Sequence, residues 1–433
     1  MTNAMAQPKL GGSKFGSARL LLLLGPAFVA AIAYVDPGNV AANLTSGAKF
    51  GFLLVWVLVA ANVMAMLIQY QSAKLGLVTG KSLPEILGER LRPLGRRAFW
   101  LQAELVAMAT DLAEVIGGAI ALNLLFHLPL PLGGLIVGLI SMAMLAVQNR
   151  FGQRPFESVI VFLLLVITVG FLFGLVINPP NPADAAAGLL PRFEGSESVL
   201  LAASMLGATV MPHAIYLHSA LARDRHRPLK LSPSGSDGHS AVEEFSPNLL
   251  RRLIKATRVD VVVALLLAGS VNIGMLLLAA STLRGVEGTD TIEGAHQAIS
   301  HSLGPVVATV FGIGLLASGL ASTSVGCYAG ATVMSGLLKF KVPLLLRRVI
   351  SLIPALVLLS IGVDPTWALV ISQMALSFGI PFALIPLLRL TSDRKLMGEH
   401  RDGLPLRLAA ILSTVLIVAL NLVLIYLTLS GAE

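Results

Sequence analysis

The sequence predicts an all-α membrane protein of about eleven transmembrane helices, the first and sixth of them broken. Of its 433 residues, 55% are hydrophobic and only 12% charged, and mean hydropathy is +0.83; soluble domains carry about 25% charged residues. Apolar runs long enough to cross about 30 Å of hydrocarbon recur along the whole chain. Two of those runs are interrupted at mid-depth, one by Asp36-Pro37-Gly38-Asn39 and the other by Pro212 within Gly207-Ala-Thr-Val-Met-Pro-His213.

The runs cover residues 20–44, 51–75, 99–126, 130–148, 155–178, 197–221, 257–283, 304–338, 344–361, 365–388 and 405–430. They divide the chain into a tail (1–19), a first set of five spans (20–178), a second set of five (197–388) and an eleventh span (405–430). Lys9, Lys14 and Arg19 ahead of an apolar run, with an Ala-x-Ala pattern near Ala31 to Ala33, imitate a signal peptide. The many spans that follow need no cleaved leader, so the segment is expected to stay as the first helix. Of 31 lysines and arginines, all but Lys49, Arg192 and Arg284 fall on one side of this topology. The positive-inside rule makes that side cytoplasmic, with the N-terminus inside and, after an odd number of spans, the C-terminus outside the cytoplasmic membrane.

The net charge of +8 and pI near 9.8 therefore follow the bilayer rather than a nucleic-acid surface. Cys327 is alone, which excludes an intramolecular disulfide framework and a thiolate metal site. No Walker loop, paired catalytic carboxylates or nucleophile triad occurs, so neither an enzyme nor an ATP-driven pump is expected, and no resident cofactor or obligate protein partner is implied. Ser82-Leu-Pro-Glu85 is a capping box opening a short helix through Leu91, and Asp290 to Glu293 has similar spacing ahead of a helix through Leu303. The stretch 223–255, with Ser-Pro-Ser-Gly-Ser-Asp-Gly-His at 232–239, reads as a mobile loop without chemistry. Gly134 with Gly138 and Gly326 with Gly330 have the spacing of close helix packing.

The two breaks carry the chemistry. Pro37 and Pro212 stop their helices, Gly38 tolerates open backbone, and a carboxylate such as Asp36 at membrane depth costs roughly 2.5–3.5 kcal/mol. Unwound helices heading the first and sixth spans suggest two five-span halves related as an inverted repeat, with a substrate site where the breaks meet. Asp36, Asn39 and freed carbonyls near Ala33 and Ala208 offer hard oxygens, while Met211 offers a thioether that Ca²⁺ or Mg²⁺ has little use for. The mixed set favours a transition metal such as Mn²⁺ or Fe²⁺. Gln373, midway along the tenth span, either joins the site or makes an interhelical amide bond. His213 and His218, about 140° apart on a helix, do not form a zinc pair. His213 reads as a proton or gating group or as a packed histidine, and His218 is equally open.

The third span adds Glu104, Asp111 and Glu114, with Asp111 and Glu114 on one helical face. They form a proton relay or a structural ion-pair network, with Arg347 and Arg348 as partners and Arg348 preferred for Asp111.

Asp36-Pro37-Gly38-Asn39 together with Met211-Pro212-His213 resembles the Nramp family of proton-coupled divalent metal transporters, and the likeness extends over nearly the whole chain in span number and loop placement, nearest its bacterial manganese-transporting branch. The resemblance implies a leucine-transporter-like fold of 5+5 inverted spans plus an eleventh, alternating access, metal import and H⁺ as the coupling ion. It also implies that Asp111 and Glu114, with an arginine of the ninth span, lead protons away from Asp36. Relatives without the methionine handle magnesium or aluminium, so Met211 favours manganese. The competing readings are an ion-coupled importer of an organic solute, which the fixed anion at Asp36 disfavours for a carboxylate substrate, and a membrane enzyme or receptor, for which Asp36 lacks a second catalytic partner.

Overall fold

The chain cannot continue its first helix through residue 37. α1 (Pro26–Ile32) passes into a 3-10 turn, Ala33–Val35, and Asp36, extended at φ −73° and ψ 166°, then caps a new helix, α2 (Pro37–Phe50). Pro37 has no N–H for the carbonyl of Ala33, four residues back, but its fixed φ suits the first position of a helix that starts on an aspartate cap. The computed structural model describes residues 25–230, 247–289, 291–340 and 342–430.

Beyond the break come α3 (Val55–Thr79), the short α4 (Leu83–Arg90), α5 (Pro93–Phe126), α6 (Leu130–Phe151) and α7 (Gln153–Ile177). A short surface helix, α8 (Pro182–Ala187), leads to α9 (Gly195–Thr209), which stops before Val210 and Met211; α10 (Pro212–Lys230) restarts on a proline. The second set continues with α11 (Pro247–Thr282), α12 (Ile292–Leu303), α13 (Pro305–Leu338), α14 (Leu344–Ser360) and α15 (Pro365–Ser392), then α16 (Arg394–Met397) and α17 (Leu404–Ser430). No strand occurs among the described residues. Eight of these segments are long and apolar enough by themselves to cross a membrane: α3, α5, α6, α7, α9 with α10, α11, α13 and α17. The other expected spans are the broken α1–α2, the 17-residue α14, and α15, which carries Pro381 and Pro386.

The most extensive helix pair is α5 with α13, whose backbones close in at glycines: a β-carbon on Gly319 would lie 2.8 Å from the Gly118 Cα. Against this pair lie the two broken helices, with α11 buttressing α1 and α2. Asp260 of α11 serves as the cap that α1 lacks, its carboxylate accepting the N–H groups of Gly25 and Ala27, each at 3.0 Å.

Several local expectations are met and several corrected. The capping box forms, Ser82 N–H donating to Glu85 Oε2 at 2.7 Å, and its helix ends at Arg90. Burial pushes the Glu85 carboxyl up, but the Ser82 N–H, the Arg223 guanidinium and the Ser82 hydroxyl outweigh it and hold the group below the usual range. Asp290 lies outside the described residues; Thr291 caps α12, its hydroxyl accepting Gly294 N–H at 3.0 Å. The expected loop 223–255 is helical at both flanks, because Arg223 and Arg225 continue α10 and pair with Glu85 and Glu157. Its central Ser-Pro-Ser-Gly segment lies outside the described residues. Gly134 and Gly138 do admit a packing helix, receiving Leu359 and Leu352 of α14, but Gly326 and Gly330 make room for charge. A β-carbon on them would lie 2.8 Å from Glu114 Oε2 and 1.9 Å from Arg347 Nη2.

Asp260→Ala strips two buried N–H groups of their acceptor and should lower stability by about 1–2 kcal/mol, read as a lower thermal unfolding midpoint in detergent. An unchanged midpoint would show that the start of α1 finds another acceptor.

Candidate functional site

The two breaks meet. Asn39, in the first turn of α2, donates its side-chain amide both to Asp36 Oδ1 (2.6 Å) and across to the carbonyl of Ala208 at the end of α9 (2.9 Å). Ala208 is four residues before Pro212, as Ala33 is before Pro37, so each of these carbonyls has lost its helical N–H to a proline. Two acceptors fix the orientation of the Asn39 amide and leave Oδ1 facing away from both. Asp36 Oδ1 also accepts the Asn39 N–H at 2.9 Å. What remains is a pair of buried oxygens without hydrogen-bond donors, Asp36 Oδ2 and Asn39 Oδ1. Asp36, Asn39 and Met211 all have 0% exposure, so the site is closed to both sides.

Gln373 of α15 stands against the break: a β-carbon on Gly38 would lie 1.9 Å from its Nε2. Gly38 is thus required by close approach as well as by the helix start. Other freed carbonyls of the first break are taken up by side chains that sequence reasoning passed over. Asn272 of α11 donates to the Tyr34 carbonyl at 2.6 Å and accepts from Asn43 of α2 at 2.9 Å, and Ser318 of α13 donates to the Val35 carbonyl at 2.5 Å. A lone asparagine in the apolar seventh span was the available signal for Asn272; a serine in the eighth span carried none.

The two histidines differ. His218 bonds through Nδ1 to Gln69 Oε1 at 2.8 Å, and Gln69 Nε2 donates to the Tyr34 hydroxyl at 2.7 Å, which places the His218 proton on Nδ1. This chain ties α3 and α10 to the turn beside Asp36. His213 is buried with neither ring nitrogen hydrogen-bonded.

Along α5 the acids take separate partners. Arg348 Nη1 donates to both oxygens of Asp111 at 2.5 and 2.6 Å, with Thr323 donating to the same carboxylate and Ser141 receiving Arg348 Nε at 2.5 Å. Arg347 turns to Glu104, Nη2 to Oε1 at 2.7 Å and Nη1 to Oε2 at 3.0 Å. Glu104 and Arg347 line a small cavity of about 80 Å³ with Met108, Met334 and Ser351. Glu114, fully buried between these pairs and the break, makes no hydrogen bond, although Asp36, Asp111 and Arg348 all lie within its electrostatic reach; the Ser322 hydroxyl beside it donates to Ser318. The sequence grouped Asp111 with Glu114, but the arginine engages only Asp111.

Among the described residues no three His, Cys, Asp or Glu side chains gather as a conventional metal centre. The polar site instead sits where two interrupted helices of opposed halves meet, the arrangement of a membrane transporter with a leucine-transporter-like fold. The solved structure of Mhp1, a nucleobase-cation-symport-1 family transporter, is superposable over 92% of this chain and 91% of its own with a TM-score of 0.57 at 15% identity, which shows the shared fold. The profile of the natural resistance-associated macrophage protein-like (Nramp) family matches residues 27–427, and the chain belongs to that family. It is 57% identical over 409 residues to the divalent metal cation transporter MntH of Mycobacterium tuberculosis, covering 94% of this chain and 92% of that protein. To MntH of Bacillus subtilis it is 43% identical over 421 residues, covering 97% and 95%. The crystal structure of the Eremococcus coleocola manganese transporter, bound to an aromatic bis-isothiourea substituted compound, matches with a TM-score of 0.84 at 30% identity over 96% of this chain and 88% of that one.

Gly38→Ala should force Gln373 off the break and lower Mn²⁺ affinity about tenfold or more, roughly 1.4 kcal/mol, in a protein that still folds. Isothermal titration against the parent is the check, and equal affinity would place Gln373 outside the site.

Proposed function

We propose that the chain imports divalent transition-metal ions, Mn²⁺ and also Fe²⁺, across the cytoplasmic membrane in company with protons, by alternating access, with its N-terminus in the cytoplasm and its C-terminus outside. The observation that carries the reading is the pair of donor-free buried oxygens, Asp36 Oδ2 and Asn39 Oδ1, at the junction of two broken helices beside Met211. Unsatisfied acceptors buried together cost stability and suit a cation. One fixed negative charge, two or more neutral oxygens and a thioether match Mn²⁺ or Fe²⁺ better than Mg²⁺, which keeps its waters, or Zn²⁺, which takes nitrogen and sulfur. The names of the relatives, divalent metal cation transporters and a manganese transporter, support the same substrate class.

In this reading Asp36 and Asn39 bind the ion with the carbonyls of Ala33 and Ala208, Met211 supplies selectivity, and Gln373 completes the shell. The Ala208 carbonyl can turn to the metal when the Asn39 amide releases it. A proton displaced from Asp36 passes to Glu114 and then along Asp111 and Glu104, with Arg348 and Arg347 as their counter-charges; Glu104 and Arg347 line the small cavity. Buried Glu114, without an ion-pair partner of its own, is the natural proton carrier, and the Asp111–Arg348 pair orders the route. His213, free of hydrogen bonds beside Met211, senses the occupancy of the site.

Asp36→Ala and Asn39→Ala should each cut Mn²⁺ uptake into vesicles by about tenfold or more, with the protein still folded; near-normal uptake by the Asp36 variant would move the site elsewhere. Met211→Ala should lose discrimination against Mg²⁺ and Ca²⁺ in competition uptake while keeping most Mn²⁺ transport.

Asp111→Asn and Glu114→Gln keep shape but remove titration, and should bind Mn²⁺ normally while proton flux, followed with a pH-sensitive dye, loses its pH dependence. Unaltered flux with lowered stability would make the α5 acids a structural network only.

A further inference from the structure

α13 carries three hydroxyl residues in a row, Ser322, Thr323 and Ser324, all fully buried. Successive side chains on a helix turn by about 100°, so the three cannot share a face. Thr323 donates to the Asp111 carboxylate, Ser324 lies 3.6 Å from Met144 Sδ, and Ser322 stands beside Glu114. Two glycines on the Ser322 face locate it. A β-carbon on Gly319, one turn before, would lie 3.0 Å from the Glu114 carbonyl, and one on Gly326, one turn after, 2.8 Å from Glu114 Oε2.

Ser322 and Ser324 make the same local bond. Each donates to the carbonyl four residues back, Ser322 to Ser318 at 2.8 Å and Ser324 to Leu320 at 2.9 Å. Such a back-bond is the default use of a serine within a helix, and rotation about χ1 releases it. The carbonyl left behind keeps its helical N–H, so the swing strands nothing. Glu114 is the opposite case, for neither of its oxygens has a donor. The charged groups that bear on it are Asp111 on its own helix, Asp36 at the break and Arg348 of α14, and that arginine is turned to Asp111 and Ser141. A buried carboxylate that gives up its proton needs a hydrogen bond, because a buried charge without one is costly.

We propose that Ser322 is the positioning residue for the proton step at Glu114. Its hydroxyl rests on the Ser318 carbonyl while Glu114 holds a proton and turns to the Glu114 carboxylate when the proton leaves. One turn earlier on the same face, Ser318 donates to the Val35 carbonyl at 2.5 Å. The helix that answers Glu114 therefore also holds the turn beside Asp36. The inference rests on the reading of Glu114 as the proton carrier.

The test compares Ser322→Ala with Ser324→Ala, which loses the same back-bond from the same helix but faces Met144. Proton flux during Mn²⁺ uptake into vesicles is followed with a pH-sensitive dye across a range of pH. The hydroxyl favours only the charged carboxylate, so its loss makes the proton harder to release and should move the midpoint of the profile up by about one pH unit. Ser324→Ala should keep the parent midpoint. A merely structural role would lower the stability of both variants and leave both midpoints in place. Adding Ser322→Ala to Glu114→Gln should change the flux no further, because no charge forms there. An unmoved midpoint in Ser322→Ala, an equal shift in Ser324→Ala, or a further change in the double variant overturns the proposal. If Glu114→Gln itself keeps the parent's pH dependence, the proton-carrier reading falls and the proposal with it; if Glu114→Gln loses that dependence while Ser322→Ala leaves the midpoint unmoved, only the serine's role falls.

Discussion

A proline cannot donate a hydrogen bond, and the centre of this protein depends on that fact twice. Pro37 and Pro212 leave the carbonyls of Ala33 and Ala208 without their helical partners in a region where no bulk water can replace them. The protein answers with polar side chains from other helices: Asn39 reaches Ala208, Asn272 reaches Tyr34 and Ser318 reaches Val35. Each of these contacts joins a broken helix to another segment, so the accounting for interrupted backbone also fixes where the two breaks meet. The site is a consequence of that accounting, since the oxygens of Asp36 and Asn39 that remain are those no donor reaches.

Charge is treated in the opposite way along α5. Asp111 and Arg348 are both nearly inaccessible; Asp111 accepts from Arg348 Nη1 and Thr323, and Arg348 Nε donates to Ser141, while Arg348 Nη2 is buried without an acceptor. Removing either partner strands a buried charge, which typically costs 3–5 kcal/mol. Glu114, one helical turn nearer the break, has no such insurance. A paired acid thus stands one turn from an unpaired one. Gly326 and Gly330 belong to this design, because any side chain there would collide with Glu114 or Arg347.

The break at Asp36-Pro37 and the restart at Pro212 were legible because proline, glycine and an acid are conspicuous inside apolar runs, and the span limits were legible because hydrocarbon thickness sets their length. α6, α7 and α13 begin and end within three residues of where the apolar pattern puts them. Less was legible where polar groups are common residues doing local work. Asp260 caps a helix more than two hundred residues away, Tyr34 and Gln69 carry the bond to His218, and the packing motif Gly326-x-x-x-Gly330 admits charged side chains. Nothing in the spacing of these residues distinguishes them from others of their kind.

The sequence by itself determined that the chain crosses the membrane many times, that its first and sixth helices break, and which residue types stand at the breaks, because these follow from hydrophobic length and from the covalent geometry of proline. Only the tertiary structure decided which oxygen of Asp36 and of Asn39 stays free, that Gln373 lies against Gly38, and that Arg347 takes Glu104 while Arg348 takes Asp111. Those outcomes depend on donors and acceptors brought together from helices far apart in the chain, and hydrogen-bond geometry exists only once the helices have packed.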